Sequence, residues 1–169
     1  MTRLTLATYS LFLSIILWGV LLGGIVYSHI VYFPVYLSAL PDSAIVVNGT
    51  YRLDEVPFWL LIHPLLIVSL IIASTLNWKY KQRRKLILTS FAIYIAVLVV
   101  SNLYFIPELM AFKQSPESNL SAAEWLSRGN RWQQLSWIRG TVCFVGFVPL
   151  LIALTKANDV DTETKTVTG

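Results

Sequence analysis

The sequence predicts an all-α fold: a four-helix transmembrane bundle in one domain, residues 1–157, with a small extracytoplasmic β-hairpin or loop cap. Three observations carry this. The chain of 169 residues is 56% hydrophobic and only 13% charged, with a mean hydropathy of +0.64, where a soluble domain has about a quarter of its residues charged. The apolar residues are gathered into four runs, each at least as long as the roughly 20 residues a bilayer demands. The segments between the runs hold most of the charge and the turn-forming residues.

The first run, from about Leu4 to Leu37, exceeds what a span needs, so that helix tilts or projects beyond the membrane. It is too long for a cleavable signal and lacks a small-residue cleavage site. Gly19 and Gly23 form a GxxxG spacing that would let a second helix approach closely. Pro34 is expected to kink or end the helix near Ile30. Between residues 38 and 56, Asn48-Gly49 lies among β-branched residues, which reads as a β-hairpin on the membrane surface. Asn48-Gly49-Thr50 also matches a glycosylation acceptor.

The second helix, about 57–78, opens with Asp54 as its N-cap, Glu55 in the first turn and an early Pro57. The third, about 86–107, is closed by Pro107-Glu108 and followed by a polar loop. Ser121-Ala-Ala-Glu124 is a capping box for a short surface helix, about 122–128, broken at Gly129-Asn130. The fourth helix is then expected over 131–155, and the polar segment 158–169 as a disordered tail.

Charge placement gives orientation. Arg3, the five basic residues of Lys79–Lys85, Lys156 and Lys165 fall on one side. Arg52, Lys113, Arg128 and Arg131 fall on the other, with Arg139 just inside it. The richer side is the cytoplasmic one, which places both termini there. The net charge of +4 has no nucleic-acid footprint, so the bilayer and a lipophilic small molecule are the expected partners. A single cysteine, Cys143, excludes an internal disulfide and a CxxC pair.

A depth argument links the polar residues. Counting at 1.5 Å per residue through antiparallel neighbours places His29 level with His63, His63 level with about Val99 to Asn102, and Asn102 near Ile138 or Arg139. The layer lies roughly 10 Å below the outer surface, where ionisable groups cost a few kcal/mol unless they face protein, a partner or water. His29, His63 and Arg139 should therefore turn inward. Trp132, Ser136, Arg139 and Cys143 share one stripe of the fourth helix, and Tyr94, Ser101 and Glu108 one stripe of the third. Glu108 is the expected counter-ion of Arg139 or Arg131. The candidate catalytic set is His29, His63 and Arg139, and the candidate substrate contacts are Tyr32, Trp59, Asn102, Glu108 and Trp132. A histidine would act as base and Arg139 would hold an anionic oxygen. No cofactor is expected; a metal or an axially ligated haem between His29 and His63 is the weaker alternative, since no HxxxH or ExxH spacing supports it.

The pattern resembles the anthrone-oxygenase-like family of small four-helix membrane proteins. The matching parts are the glycine-rich first helix leading to Ile30-Val-Tyr-Phe-Pro34 and Leu40-Pro41, the third helix ending in Phe105-Ile-Pro107, and the Arg131-Trp132 to Arg139 segment. The resemblance spans about Gly19 to Leu154. In the family's characterised branch it implies cofactor-independent oxygenation of an anthrone to an anthraquinone, and the first reading of this chain is a membrane oxidoreductase or oxygenase acting on a lipophilic aromatic or quinone-like molecule. Two departures stand out. Phe105 replaces an asparagine near the third-helix proline, and the family's Trp-Asn-His-x-Arg reads Leu135-Ser-Trp-Ile-Arg139. The other readings are a non-catalytic subunit or ligand-binding scaffold, and a transporter. The last would need a homo-oligomer or larger membrane complex, because four helices show no evident internal repeat.

Overall fold

The computed structural model describes residues 2–156 and is an all-α bundle. Its four long helices are α1 (Arg3–Tyr36), α2 (Val56–Leu76), α3 (Lys81–Lys113) and α4 (Ala122–Thr155), each long and apolar enough to cross a membrane. The expected tail at 158–169 lies outside the described residues. The chain runs up, down, up and down. α1 packs along α2 and α4, α3 packs along α4, and α2 meets α3 least.

Length differences between the helices shape the molecule. α1, α3 and α4 have 33 or 34 residues and α2 only 21, so three helices outrun α2 by about 18 Å. Two cores result. One, at the basic end, gathers Leu11, Trp18, Leu66, Leu70, Ile87 and Leu150. The other, past the start of α2, gathers Phe33, Tyr36, Leu40, Phe112, Trp125 and Trp132 into a cap. Asn77 fastens the basic end, its side chain donating to the carbonyls of Ala7 (3.0 Å) and Ala73 (2.9 Å). Arg83 adds bonds to Thr8 and to the Lys156 carbonyl.

Several expectations need correction. The cap contains no hairpin, and no β-strand occurs among the described residues. Ile45–Asn48 is a helical turn, because Ala44 and Val47, three residues apart, are both buried while Ile45 is 71% exposed. A strand would have turned Ala44 and Val47 to opposite faces. The chain does double back after Asn48-Gly49, with the Leu53 N–H bonded to the Val46 carbonyl at 2.9 Å, and the Asn48 side chain donates to the Lys113 carbonyl. The break expected at Gly129-Asn130 is absent. Gly129 packs on Leu37 inside an unbroken α4, which Ser121 and Glu124 open with the capping box read from sequence.

Nor do the prolines stop their helices. Before Pro34 the chain makes a π-helical turn over Ser28–Tyr32, and before Pro107 another over Ser101–Phe105. In each, the serine carbonyl accepts the N–H five residues on, from Phe33 or Ile106. A proline lacks an N–H and crowds the carbonyl four residues back, and one extra residue in the preceding turn relieves both effects. The two sites share a pattern, serine six residues before proline, at matching places in two helical hairpins.

The glycines divide differently from the GxxxG expectation. A Cβ at Gly19 or Gly23 would meet nothing within 4 Å. The close approaches are at Gly24, where a Cβ would lie 2.5 Å from Phe58, and at Gly146, 2.7 Å from Ile93 Cγ2. Gly146→Val is therefore expected to lower stability by about 1–3 kcal/mol through overpacking. Gly19→Val should stay within about 0.5 kcal/mol, as for open surface positions. Thermal unfolding of the two variants in one detergent checks this.

Candidate functional site

Where the two cores meet, α2 has only begun and leaves a cavity of about 530 Å³ among the four helices. That volume falls within the range of small-molecule pockets. Its walls are mostly aliphatic and aromatic, and its polar members are Ser28, His29, Glu55, His63, Tyr94, Ser101, Asn102 and Arg139.

Three separate sets of hydrogen bonds, one across α1, α4 and α3, one from α3 to α2 and one from α1 to Glu55, form a belt that touches every helix. On α1, His29 Nδ1 donates to the Ile25 carbonyl at 2.7 Å, which places the ring proton on Nδ1. The Ser136 hydroxyl donates to His29 Nε2 at 2.9 Å. Arg139 then donates from Nη2 to Ser136 Oγ (2.9 Å) and from Nη1 to Ser101 Oγ (3.2 Å), linking α4 to α3. The Ser101 hydroxyl donates to the Val97 carbonyl at 2.7 Å. The Tyr94 hydroxyl of α3 reaches His63 Nδ1 of α2 at 2.6 Å. Ser28 of α1 donates to Glu55 Oε1 at 2.7 Å, just before α2. Both π-turn serines, Ser28 and Ser101, are thus belt members.

Bond polarity assigns the tautomers. His29 has both nitrogens engaged and offers no free lone pair to the cavity. The Tyr94 hydroxyl has no acceptor other than His63 Nδ1 among its bonds, so it donates there and leaves the His63 proton on Nε2. His63 therefore presents an N–H donor. Trp59 stacks on it at 5.7 Å with 23° between the planes, and its indole N–H donates to Glu55 Oε2 at 3.3 Å. Burial pushes the Glu55 carboxyl above the ordinary carboxylate range, against the opposing pull of the Ser28 and Trp59 hydrogen bonds.

Arg139 carries the main electrostatic feature. Its guanidinium lies 4.2 Å from the centre of the Phe105 ring and bonds two hydroxyls. The one ion pair among the described residues is Arg128–Glu108 at 2.8 Å, with Arg128 also over the Trp125 ring. Glu108 is thus the partner of Arg128, not of Arg139 or Arg131, because α3 continues past Pro107 and carries Glu108 up into the cap.

Of the residues singled out from sequence, His29, His63, Arg139, Trp59, Asn102 and Trp132 line the cavity. Tyr32 does not; it is buried in the cap with its hydroxyl toward the Leu53 carbonyl at 3.4 Å. Asn102 bonds its own helix at the Leu98 carbonyl. The partner of His63 is Tyr94, more than a turn from the depth estimate, because a tyrosine spans that gap with its ring. His29 has no free nitrogen, and no group of three or more His, Cys, Asp or Glu that could hold a metal occurs among the described residues. Glu55 and Ser28 were not among the candidate site residues, and Ser101 entered only as a member of the third helix's polar stripe. The repeated Ser-x5-Pro spacing was the available signal for the two serines.

In comparisons with known proteins, no protein-family model, curated protein or solved structure matches the chain.

Proposed function

We propose that this membrane protein binds a lipophilic molecule bearing an acidic oxygen and that it acts as an oxygenase on an anthrone-like or quinone-like ring. The observation that carries the reading is Arg139, a guanidinium with no carboxylate partner among the described residues, facing an apolar cavity. A charged arginine inside a membrane costs about 2.5–3.5 kcal/mol on insertion scales. The interhelical bond to Ser101 returns about 0.6 kcal/mol, and the Ser136 hydroxyl on the same helix and the Phe105 ring offset more of that cost. None of them supplies a counter-charge, which a bound anionic oxygen would.

The roles follow from the bonds. Arg139 and the His63 Nε2–H converge on the ligand oxygen and stabilise its enolate or phenolate form. Trp59 and Trp132 flank the ring. Glu55, the one carboxylate lining the cavity, takes the carbon-bound proton. His29 and Ser136 position Arg139. For an anthrone, loss of one proton gives the anthrone anion, which delivers electrons to O2 and forms a carbon–oxygen bond. Cleavage of the O–O bond with loss of water then leaves the anthraquinone. Anthrone and O2 go to anthraquinone and water, so the step balances without a resident cofactor.

Oxygen uptake with anthrone tests this. Glu55→Gln is expected to lower turnover by about 10²–10⁴-fold, the usual contribution of a general base, while leaving binding within about threefold. Ligand binding without any oxygen uptake would favour the alternative, a non-catalytic subunit or scaffold. The lysine and arginine bias supports an orientation with both termini cytoplasmic. Single cysteines placed at Gly49 and Lys81, in a Cys143→Ala background, should react with an impermeant maleimide from opposite sides of intact cells.

A further inference from the structure

We infer that the cavity is filled sideways from the bilayer, through a slot between α2 and α3, and that its ligand is a tailed amphiphile whose apolar end stays in lipid. This rests on the reading of Arg139 as the anchor of an acidic head. Three features of the fold support it. First, α2 and α3 are the neighbouring pair that meets least, joined at the basic end by the turn at Asn77–Tyr80 and further up by the His63–Tyr94 bond, and both line the cavity beyond that bond. Second, the cavity is roofed. Phe33, Phe105 and Trp132 on its wall are buried in the cap core, which also holds Leu37, Leu40, Ala44 and Val47 of the 37–55 connection. Third, six wall residues are also exposed on the outer surface, three on each of these two helices. Val56 (47% exposed), Leu60 (70%) and Pro64 stand on α2, and Asn102, Ile106 (43%) and Met110 (43%) on α3.

The chemistry of that rim selects the ligand. Five of the six side chains are apolar, the sixth, Asn102, spends an amide hydrogen on the Leu98 carbonyl of its own helix, and Leu60 stands about one turn inside the span, ~6 Å below its start. A water-borne anion would have to cross this rim with one amide as its polar partner. An amphiphile already dissolved in the leaflet meets mostly hydrocarbon there until its head reaches Arg139. Met110 adds an unbranched side chain that can yield as a tail passes.

Photolabelling of the full-length protein in phosphatidylcholine vesicles tests this with two probes. One is palmitic acid with a diazirine at its terminal carbons, the other palmitic acid with a diazirine beside the carboxylate. The terminal probe is expected to label the 56–60 and 106–110 segments saturably, and the head-side probe the inner wall near Trp132 and Cys143. Arg139→Met should reduce both labels about tenfold or more, as for a lost charge-assisted bond. Terminal label that depends on Arg139 but falls on the 37–55 connection would overturn the lateral slot and leave the cavity reading standing. No label that depends on Arg139 anywhere would overturn the cavity reading itself. As a second variant, Leu60→Trp with Ile106→Trp should slow the head-side label without changing its final level. Unchanged rates with a narrowed slot would overturn the lateral route.

Discussion

Arg139→Met is expected to abolish tight ligand binding while leaving the bundle as stable as before. On the folding side the terms nearly cancel. The change removes two hydrogen bonds to Ser101 and Ser136 and the contact over Phe105. The bond to Ser101, between helices, is worth about 0.6 kcal/mol, the bond to Ser136 lies within α4, and the cation–π contact is worth about 0.5–2 kcal/mol. The change also relieves the roughly 2.5–3.5 kcal/mol that a guanidinium costs in a membrane. The net should lie within about 1 kcal/mol of zero. On the binding side nothing compensates: loss of a charge-assisted bond costs about 1.5–3 kcal/mol, roughly 10- to 150-fold in affinity. Fluorescence titration with pyrenebutanoic acid in detergent, beside a thermal melt of the same sample, separates the two. A large loss of stability with unchanged binding would identify Arg139 as a structural member of the belt only. Arg139→Lys should fall between, since an ammonium keeps the charge and gives up the planar fork that bridges Ser101 and Ser136.

Trp132→Ala should have the largest effect on the fold, about 3–5 kcal/mol. The side chain is fully buried where the two cores join. Its ring meets Phe33 at 4.6 Å, Phe105 at 5.8 Å and Phe112 at 6.2 Å between centroids, each near edge-on. Its N–H donates to the Phe105 carbonyl at 3.1 Å. Removing it takes one side chain from the contacts of α1, α3 and α4 together and opens the cavity roof. The 37–55 connection should become sensitive to protease, since Leu40, Ala44 and Val47 rest in the same core. Trp132→Phe keeps most of the packing and loses the hydrogen bond, so a cost of about 1–2 kcal/mol is expected. If Trp132→Ala melted as the parent does and resisted protease equally, the cap would owe its order to something else.

Much of the belt was legible in the chain because depth in a bundle follows from counting. The rise of 1.5 Å per residue put Asn102 near Arg139, and the Ser101–Arg139 bond lies at that depth, whereas His63 meets Tyr94 more than a turn from the counted Val99–Asn102. The paired stripe on α4 and the Ser121–Glu124 box were legible for the same reason, being periodic or local. What escaped was non-local or permissive. Pro34 and Pro107 look like helix stops, and only the surrounding packing shows that a π-turn absorbs each. Once α3 continues, Glu108 moves into the cap and finds Arg128. Asn48-Gly49 carries a hairpin signal, but the burial of Ala44 and Val47 against the cap decides for a helical turn. Glu55 reads as an ordinary acidic residue at a helix start. Its place on the cavity wall follows from the first turn of α2 lying against Ser28, a contact that no spacing announces. The GxxxG of Gly19 and Gly23 failed because the spacing recurs on any face, and the close approaches fall to Gly24 and Gly146.

The most direct measurement is a cryo-electron-microscopy map of the protein extracted in mild detergent with its native lipids, resolved finely enough to place side chains. The expected result is non-protein density between α2 and α3 with one end within hydrogen-bond distance of the Arg139 guanidinium and the His63 imidazole. A cavity closed by direct contact of α2 with α3, or an Arg139 side chain turned up toward the cap to meet headgroup phosphates, would contradict it.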